Sequence, residues 1–353
     1  MFLKVSAPAR VCLFGEHQDY LKLNVISCAI NLRTFVSGRT LKGDKININA
    51  LDLDKKDSFY VSKEVNYNSG GLDYLRAVVN VIKKDGYDLG GLDCKIKSYV
   101  PMNSGLSSSA ALLVSWTKFL TEMFNLPYNE KDIAITAYRA EHNELGIPCG
   151  VMDQFSSSLG GILHIKCLEK PLIEKIDTKL SGLVIGDTLV KKLTKNVHKI
   201  KVNEIKDAIG ILSKHFVIDI QKAKYEEIET TLKKLPELQM KRLIGTVLIR
   251  DLTNKAKTEL KRKIINHENL GELLNLHQKY LRDYIEVSTP EIEEIIRIAI
   301  NAGAKGGKLT GAGMGGCVIL YAPGRQKEVA RAIENAGYKA YIVKVDNGAR
   351  IEK

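Results

Sequence analysis

The sequence predicts an α+β fold in two domains, 1–180 and 181–353. Three observations point there. The first 110 residues carry short apolar runs of period two, the pattern switches to period 3.6 after Ala110, and no regular strand–helix–strand alternation follows, as a doubly wound parallel sheet would require. In chain order, VSAPARVCLF (5–14), VISCAINL (25–32), FVSGRTL (35–41) and KININALDL (45–53) are rich in β-branched and alternating apolar residues and predict strands. The stretch DYLRAVVNVIKK (73–84) has helical spacing. GLDCKIKSYVP (91–101) alternates again, with Leu92, Cys94, Ile96 and Val100 on one face, and breaks at Pro101. Leu113, Trp116, Leu120 and Met123 then form a helical stripe, and a second helix over 131–145 ends at Gly146, a residue suited to a left-handed cap. Charged amphipathic helix dominates 200–285. A helix near 290–302, a short strand around Lys308–Thr310, a glycine run and the strand CVILYA (317–322) follow.

Composition narrows the function classes. With 353 residues, 44% hydrophobic and 27% charged, the chain has ordinary globular proportions and enough length to bury a core without a metal or disulfide staple. Its six cysteines are scattered, with no C-x-x-C and no Cys/His cluster, which argues against a zinc module and fits a reducing compartment. No secretory leader and no run of 18 apolar residues is seen, so a cytoplasmic protein without a membrane partner is expected. The net charge of +12 is compatible with anionic ligands of several kinds. In the lysine-rich segments 191–206 and 255–263 the charges sit at helical intervals among acids, without interleaved aromatic residues, so solvated helix faces rather than a nucleic-acid surface are expected.

The motif with most chemical content is PMNSGLSSSAAL (101–112), which places three serines where a turn opens a helix. First-turn N–H groups lack intrahelical partners and sit at the positive end of the helix dipole, so they suit a polyphosphate. A plain capped helix would need only one of those serines. The sequence is not a Walker A loop, since G-x-x-x-x-G-K-[ST] is absent and Gly307-Lys308 is followed by Leu309. The glycine run 311–316 is followed by a strand rather than a helix and is not a dinucleotide fingerprint. Glu141 lies four and seven residues after Ala137 and Ala134, hence on an apolar stripe, where a carboxylate needs a cation or several hydrogen bonds. A structural ion pair would serve as well as a metal. Asp153 follows a rigid Pro148–Gly150 turn and could cap the next segment or act as a base. Near the start, Gly15-Glu16-His17-Gln18-Asp19-Tyr20 offers a cluster of hydrogen-bonding side chains after an apolar strand, a pattern suited to a polyhydroxylated ligand. Its H-x-D spacing is poor for zinc.

Together, ARVCLFGEHQDY (9–20), PMNSGLSSSAAL (101–112), AEHNELGIPCGVMDQF (140–155), LRDYIEVSTPEIE (281–293) and KLTGAGMGGC (308–317) resemble the GHMP kinase superfamily, and within it galactokinase more than mevalonate kinase. The resemblance implies an N-terminal domain like the second domain of ribosomal protein S5 and a ferredoxin-like C-terminal domain. It implies transfer of the γ-phosphoryl of ATP to the anomeric hydroxyl of a sugar, with Mg²⁺ as cofactor and a monomer or homodimer as the working unit. By motif position, Asn103, Ser104, Gly105, Leu106, Ser107, Ser108 and Ser109 would hold ATP, and Ser109 with Glu141 would hold the metal. Glu16, His17, Asp19, Gly150 and Asp153 would contact the sugar, with Asp153 as base and Arg10 as its cationic neighbour. Three departures concern the sugar. Cys12 replaces a usual Asn, the segment after Asp19-Tyr20 lacks its usual glycine, and 186–200 lacks the S-S-E-Y pattern, with His198 near that place. Asn103 also replaces a usual glycine in the phosphate loop. The implied substrate is galactose; another sugar or uronic acid, mevalonate, and a sugar sensor without turnover are the alternatives.

Overall fold

A computed structural model describes residues 2–353 apart from 63, 69, 71, 191–194, 216–218, 223–224 and 227–234. The predicted strands of the first part form one sheet. β1 (Phe2–Phe14) pairs antiparallel along its length with β2 (Asn24–Leu41), with irregularities at Pro8/Ala9 and Cys12/Phe14. β2 is long enough to serve two neighbours. Thr34–Leu41 pair with β5 (Gly91–Ser98), while Asn24–Cys28 pair with β6 (Ile162–Lys166), which leads to β7 (Leu172–Ile176). β3 (Lys45–Ala50) and β4 (Lys55–Tyr60) extend the sheet beyond β5.

Among the described residues, four helices of this part of the chain pack with the sheet. α1 (Asp73–Lys84) spans the segment read as helix from its spacing, and α2 (Ser108–Met123) begins two residues before Ala110. Trp116 of α2 is fully buried and its indole N–H donates to Leu75 O at 3.1 Å, so the largest core side chain is also satisfied as a donor. The predicted 131–145 helix is α-helical only as α3 (Glu130–Arg139). Ala140–Glu144 widen into a π-type turn, and Gly146 then adopts φ 63°. α4 (Met152–Leu159) follows at once.

The second sheet is built from β8 (Leu183–Asp187), β9 (Gly306–Leu309), β10 (Cys317–Tyr321) and β11 (Lys339–Val343) in the order β11-β8-β10-β9, with every pairing antiparallel. The first crossover holds α5 (Lys195–His215), α6 (Glu237–Leu260), α7 (His267–Tyr280) and α8 (Pro290–Asn301), and the last holds α9 (Gln326–Asn335). That succession is the βαββαβ, ferredoxin-like arrangement. The chain then turns back. β12 (Arg350–Ile351) pairs with β1, and buried Arg33 donates to Asp346, Asn347 O and Gly348 O, so the last residues complete the first sheet rather than the second.

One apolar core lies where Val11, Leu13 and Ile26 of the first sheet meet Ile185 and Ile319 of the second, together with Ala256, Leu260 and Leu274 from α6 and α7. The two sheets therefore share buried surface. At the centre of this seam stands an ion pair. Lys308 Nζ is 2.5 Å from Glu16 Oε2, the side chains being 0% and 2% exposed, and donates also to Cys12 O at 2.9 Å. The other oxygen of Glu16 accepts from the Gly311 N–H, and Thr310 Oγ1 accepts from Cys12 N. Removing one partner of a dry pair strands the other charge, at a cost of about 3–5 kcal/mol. Lys308→Met is expected to lower the urea midpoint accordingly, and adding Glu16→Gln to recover most of the loss. Equal stability of Lys308→Met and the parent would contradict the pair's place in the seam.

Candidate active site

A cavity of about 320 Å³ opens between the end of β1, the 103–109 loop, the π-type turn and the start of α4. Arg10, His17, Asp19, Asn103, Ser104, Gly105, Ser107, Ser108, Ser109, Glu141, Gly150 and Asp153 all line it, so twelve of the residues singled out in the sequence come together. Two do not. Leu106 turns its side chain into the shared core and presents only its carbonyl, which accepts from Arg10 N at 3.2 Å. Glu16, expected to touch the sugar, instead has both carboxylate oxygens engaged in the seam.

The 103–109 loop is a tight structure with Asn103 at φ 56°, Gly105 at φ 88° and Ser107 at φ 59°. It is held from two sides. Cys317 N donates to Ser104 O at 2.7 Å, and Gly311 packs so close that a Cβ there would lie 2.7 Å from Gly105 Cα. Gly311 also has φ 84°, so both space and backbone demand glycine. The glycine run thus buttresses the loop, with Gly311 and Ala312 reaching the cavity. No side chain caps the N-terminus of α2, which removes the plain-cap reading of the serines and leaves the first turn open toward the cavity.

Asp153 stands in the first turn of α4, where it makes no cap either. Its Oδ1 is 2.7 Å from Arg10 Nε, its Oδ2 accepts from the Ser107 hydroxyl, and Arg10 Nη1 donates to Gly105 O at 2.6 Å. Burial opposes the charge of Arg10, but Asp153 and then Glu16 outweigh it and hold the guanidinium protonated. Across the cavity, Glu141 is pushed from its ordinary 4.5 up to about 7, first by burial and then by the charge of Asp153, against hydrogen bonds from Ser109 and Gln154. Asp19 is raised to about 6, chiefly by burial and next by Asp153. Gly150 faces Asp19 so closely that a Cβ would lie 2.0 Å from Asp19 Oδ2. His17, at φ 61°, bonds the Tyr20 hydroxyl through Nδ1 at 2.9 Å.

Ser109 Oγ and the Glu141 carboxylate form a hard, two-oxygen set beside the loop, and among the described residues no group of three or more His, Cys, Asp or Glu gathers as a metal site. That set fits Mg²⁺, which commonly takes one or two protein oxygens and completes its shell with phosphate and water. A second cavity, also about 320 Å³, adjoins the loop through Asn103, Ser108 and Ser109 and is walled by Ala50, Leu53, Leu72, Ile96 and Leu112. It was not read from the sequence, because its walls come from several strands, helices and turns far apart in the chain.

The departures noted in the motifs are accommodated. Cys12 is fully buried, its thiol donating to Phe14 O at 3.2 Å, and does not reach the cavity. Lys22 adopts φ 61°, ψ 21°, the left-handed conformation a glycine would supply. The side chain of His198, and residues 191–194 beside it, lie outside the described residues.

Comparison with known proteins adds the following. Residues 73–161 match the GHMP kinases N terminal domain, 256–339 the GHMP kinases C terminal domain and 3–40 the galactokinase galactose-binding signature. The galactokinase of Actinobacillus succinogenes is 30% identical over 346 residues, covering 96% of this chain and 89% of that protein. Lactococcus lactis galactokinase, crystallised with galactose, superimposes with a TM-score of 0.87 at 24% identity, over 99% of this chain and 95% of that one. Methanococcus jannaschii mevalonate kinase gives 0.76, also at 24%, over 98% and 99%.

The raised carboxylate of Glu141 has a measurable consequence in the metal-free protein. A carboxyl held at about 7 contributes stability that is complete below its ordinary 4.5 and lost as pH climbs past about 7, on the order of 3 kcal/mol. The thermal midpoint is expected to fall between pH 5 and 8, and Glu141→Gln to flatten that fall. An unchanged slope in the variant would contradict the burial of an ionisable group there.

Proposed function

The chain belongs to the GHMP kinases, and from that premise we propose that it is a galactokinase, transferring the γ-phosphoryl of ATP to the anomeric hydroxyl of galactose. The observation that carries the reading is Asp153, bound by Arg10 at 2.7 Å and by Ser107 of the phosphate loop, in a cavity it shares with Asp19 and Gly150. Acceptor base and phosphate cradle are thereby one assembly. The galactose-binding signature over 3–40 and the galactokinase relatives support galactose among hydroxylated acceptors.

In this reading the sugar lies against His17, Asp19 and the Gly150 backbone, and the nucleotide base enters the apolar cavity beside Leu53 and Leu112. The triphosphate reaches along the 103–109 loop to the open first turn of α2, whose N–H groups and dipole favour its charge. Ser109 and Glu141 would hold Mg²⁺, which when bound neutralises phosphate charge. As the anomeric oxygen bonds to the γ-phosphorus and the bond to the ADP oxygen breaks, Asp153 takes the hydroxyl proton. Arg10 holds that carboxylate in place and offsets charge on the transferring group. Glu16 acts at one remove, holding the end of β1 and thereby the backbone that seats Arg10.

Coupled ADP release with Mg-ATP, against galactose, other aldoses, uronic acids and mevalonate, tests the reading. Turnover on galactose is expected, with Asp153→Asn lowering kcat by at least about 10²-fold while ATP binding persists. Turnover only on another acceptor would overturn galactose. Near-normal turnover in Asp153→Asn would overturn the base.

A further inference from the structure

Ser107 occupies a backbone conformation that a serine has no intrinsic reason to adopt. It is the residue before α2, where serine ordinarily takes extended backbone and accepts from a first-turn N–H. Instead it sits at φ 59°, ψ 51°, in the left-handed region that costs any residue with a Cβ, and its side chain makes no cap. A glycine would hold that backbone at lower cost. What the hydroxyl does is reach out of the loop and donate to Asp153 Oδ2, 46 residues on in the chain. The other oxygen of the same carboxylate is taken by Arg10 Nε, and Arg10 is itself tied to the loop through Gly105 O. Two positions further, Ser109 addresses a different carboxylate, that of Glu141.

We infer that Ser107 is a positioning residue for Asp153, fixing its second carboxylate oxygen so that the phosphate loop and the base move as one rigid unit. This rests on the reading of Asp153 as the base. The Ser107 hydroxyl, by donating, fixes which lone pairs of the carboxylate remain to receive the sugar proton. The strained backbone at 107 is the cost of bringing a hydroxyl to that point, where glycine would satisfy the loop alone.

Ser107→Gly separates the two roles, because it removes the hydroxyl while relieving the backbone. The expected result is a thermal midpoint equal to or above that of the parent, with kcat lowered about tenfold or more and KM for ATP and for sugar each within about threefold. Ser107→Ala is expected to lose kcat to the same degree and to be less stable than Ser107→Gly, since alanine keeps the strain. A Ser107→Gly enzyme with the parent's kcat would overturn the inference. So would a loss confined to KM for ATP, which would make Ser107 a phosphate ligand only. Asp153→Asn measured alongside keeps the two failures apart. If it is inactive while Ser107→Gly is normal, the positioning role alone falls; if it turns over normally, the base assignment falls and this inference with it.

Discussion

The buried pair between Glu16 and Lys308 is the constraint on which the rest of the molecule depends. Lys308 lies on a strand of the second sheet and Glu16 just past the end of the first strand of the first sheet. Neither charge has water to return to, so each needs the other in place, along with the Cys12 carbonyl and the Gly311 N–H that complete their hydrogen bonding. Such a pair adds little to net stability compared with an apolar replacement, but it penalises every arrangement in which the two sheets slip past each other. That is its structural value. With β1 fixed against the glycine loop, Gly311 comes to rest under Gly105, and Arg10 finds both the Gly105 carbonyl and Asp153 within reach.

The second theme is unbalanced charge. Asp19, Glu141 and Asp153 face one cavity with Arg10, and the first two resist ionisation because they are buried near a third carboxylate. A site of this kind is poised for cations. Arg10 is committed to Asp153, which leaves Glu141, beside Ser109, as the carboxylate with most to gain from a divalent ion. The open end of α2 supplies the opposite sign a few residues away.

Much of this was legible in the sequence where the signal is local. The period of 73–84 defined α1, the stripe through Ala134 and Ala137 placed Glu141 inside, and the serine run after Asn-Ser-Gly marked the loop. What stayed hidden depends on residues distant in the chain. The resemblance places Glu16 among the sugar ligands, whereas its partner lies 292 residues away. A lysine inside the apolar run GGKL was the available sign, since a strand buried along its length tolerates no unpaired charge. The short strands β6 to β8 and the π-type turn left no distinct pattern, whereas α9 carries helical spacing in Val329, Ala330 and Ile333 that went unread. The apolar cleft beside the loop is a property of assembled walls rather than of any segment.

In the proposed reaction the assembled site directs the phosphoryl group to the anomeric oxygen of galactose. Phosphorus NMR of the product formed from galactose and Mg-ATP, with proton coupling retained, tests it most directly. One new phosphomonoester is expected, whose phosphorus couples to the anomeric proton, accompanied by loss of the sugar's reducing end. A product whose phosphorus couples to the C6 methylene protons, with the reducing end intact, would contradict it.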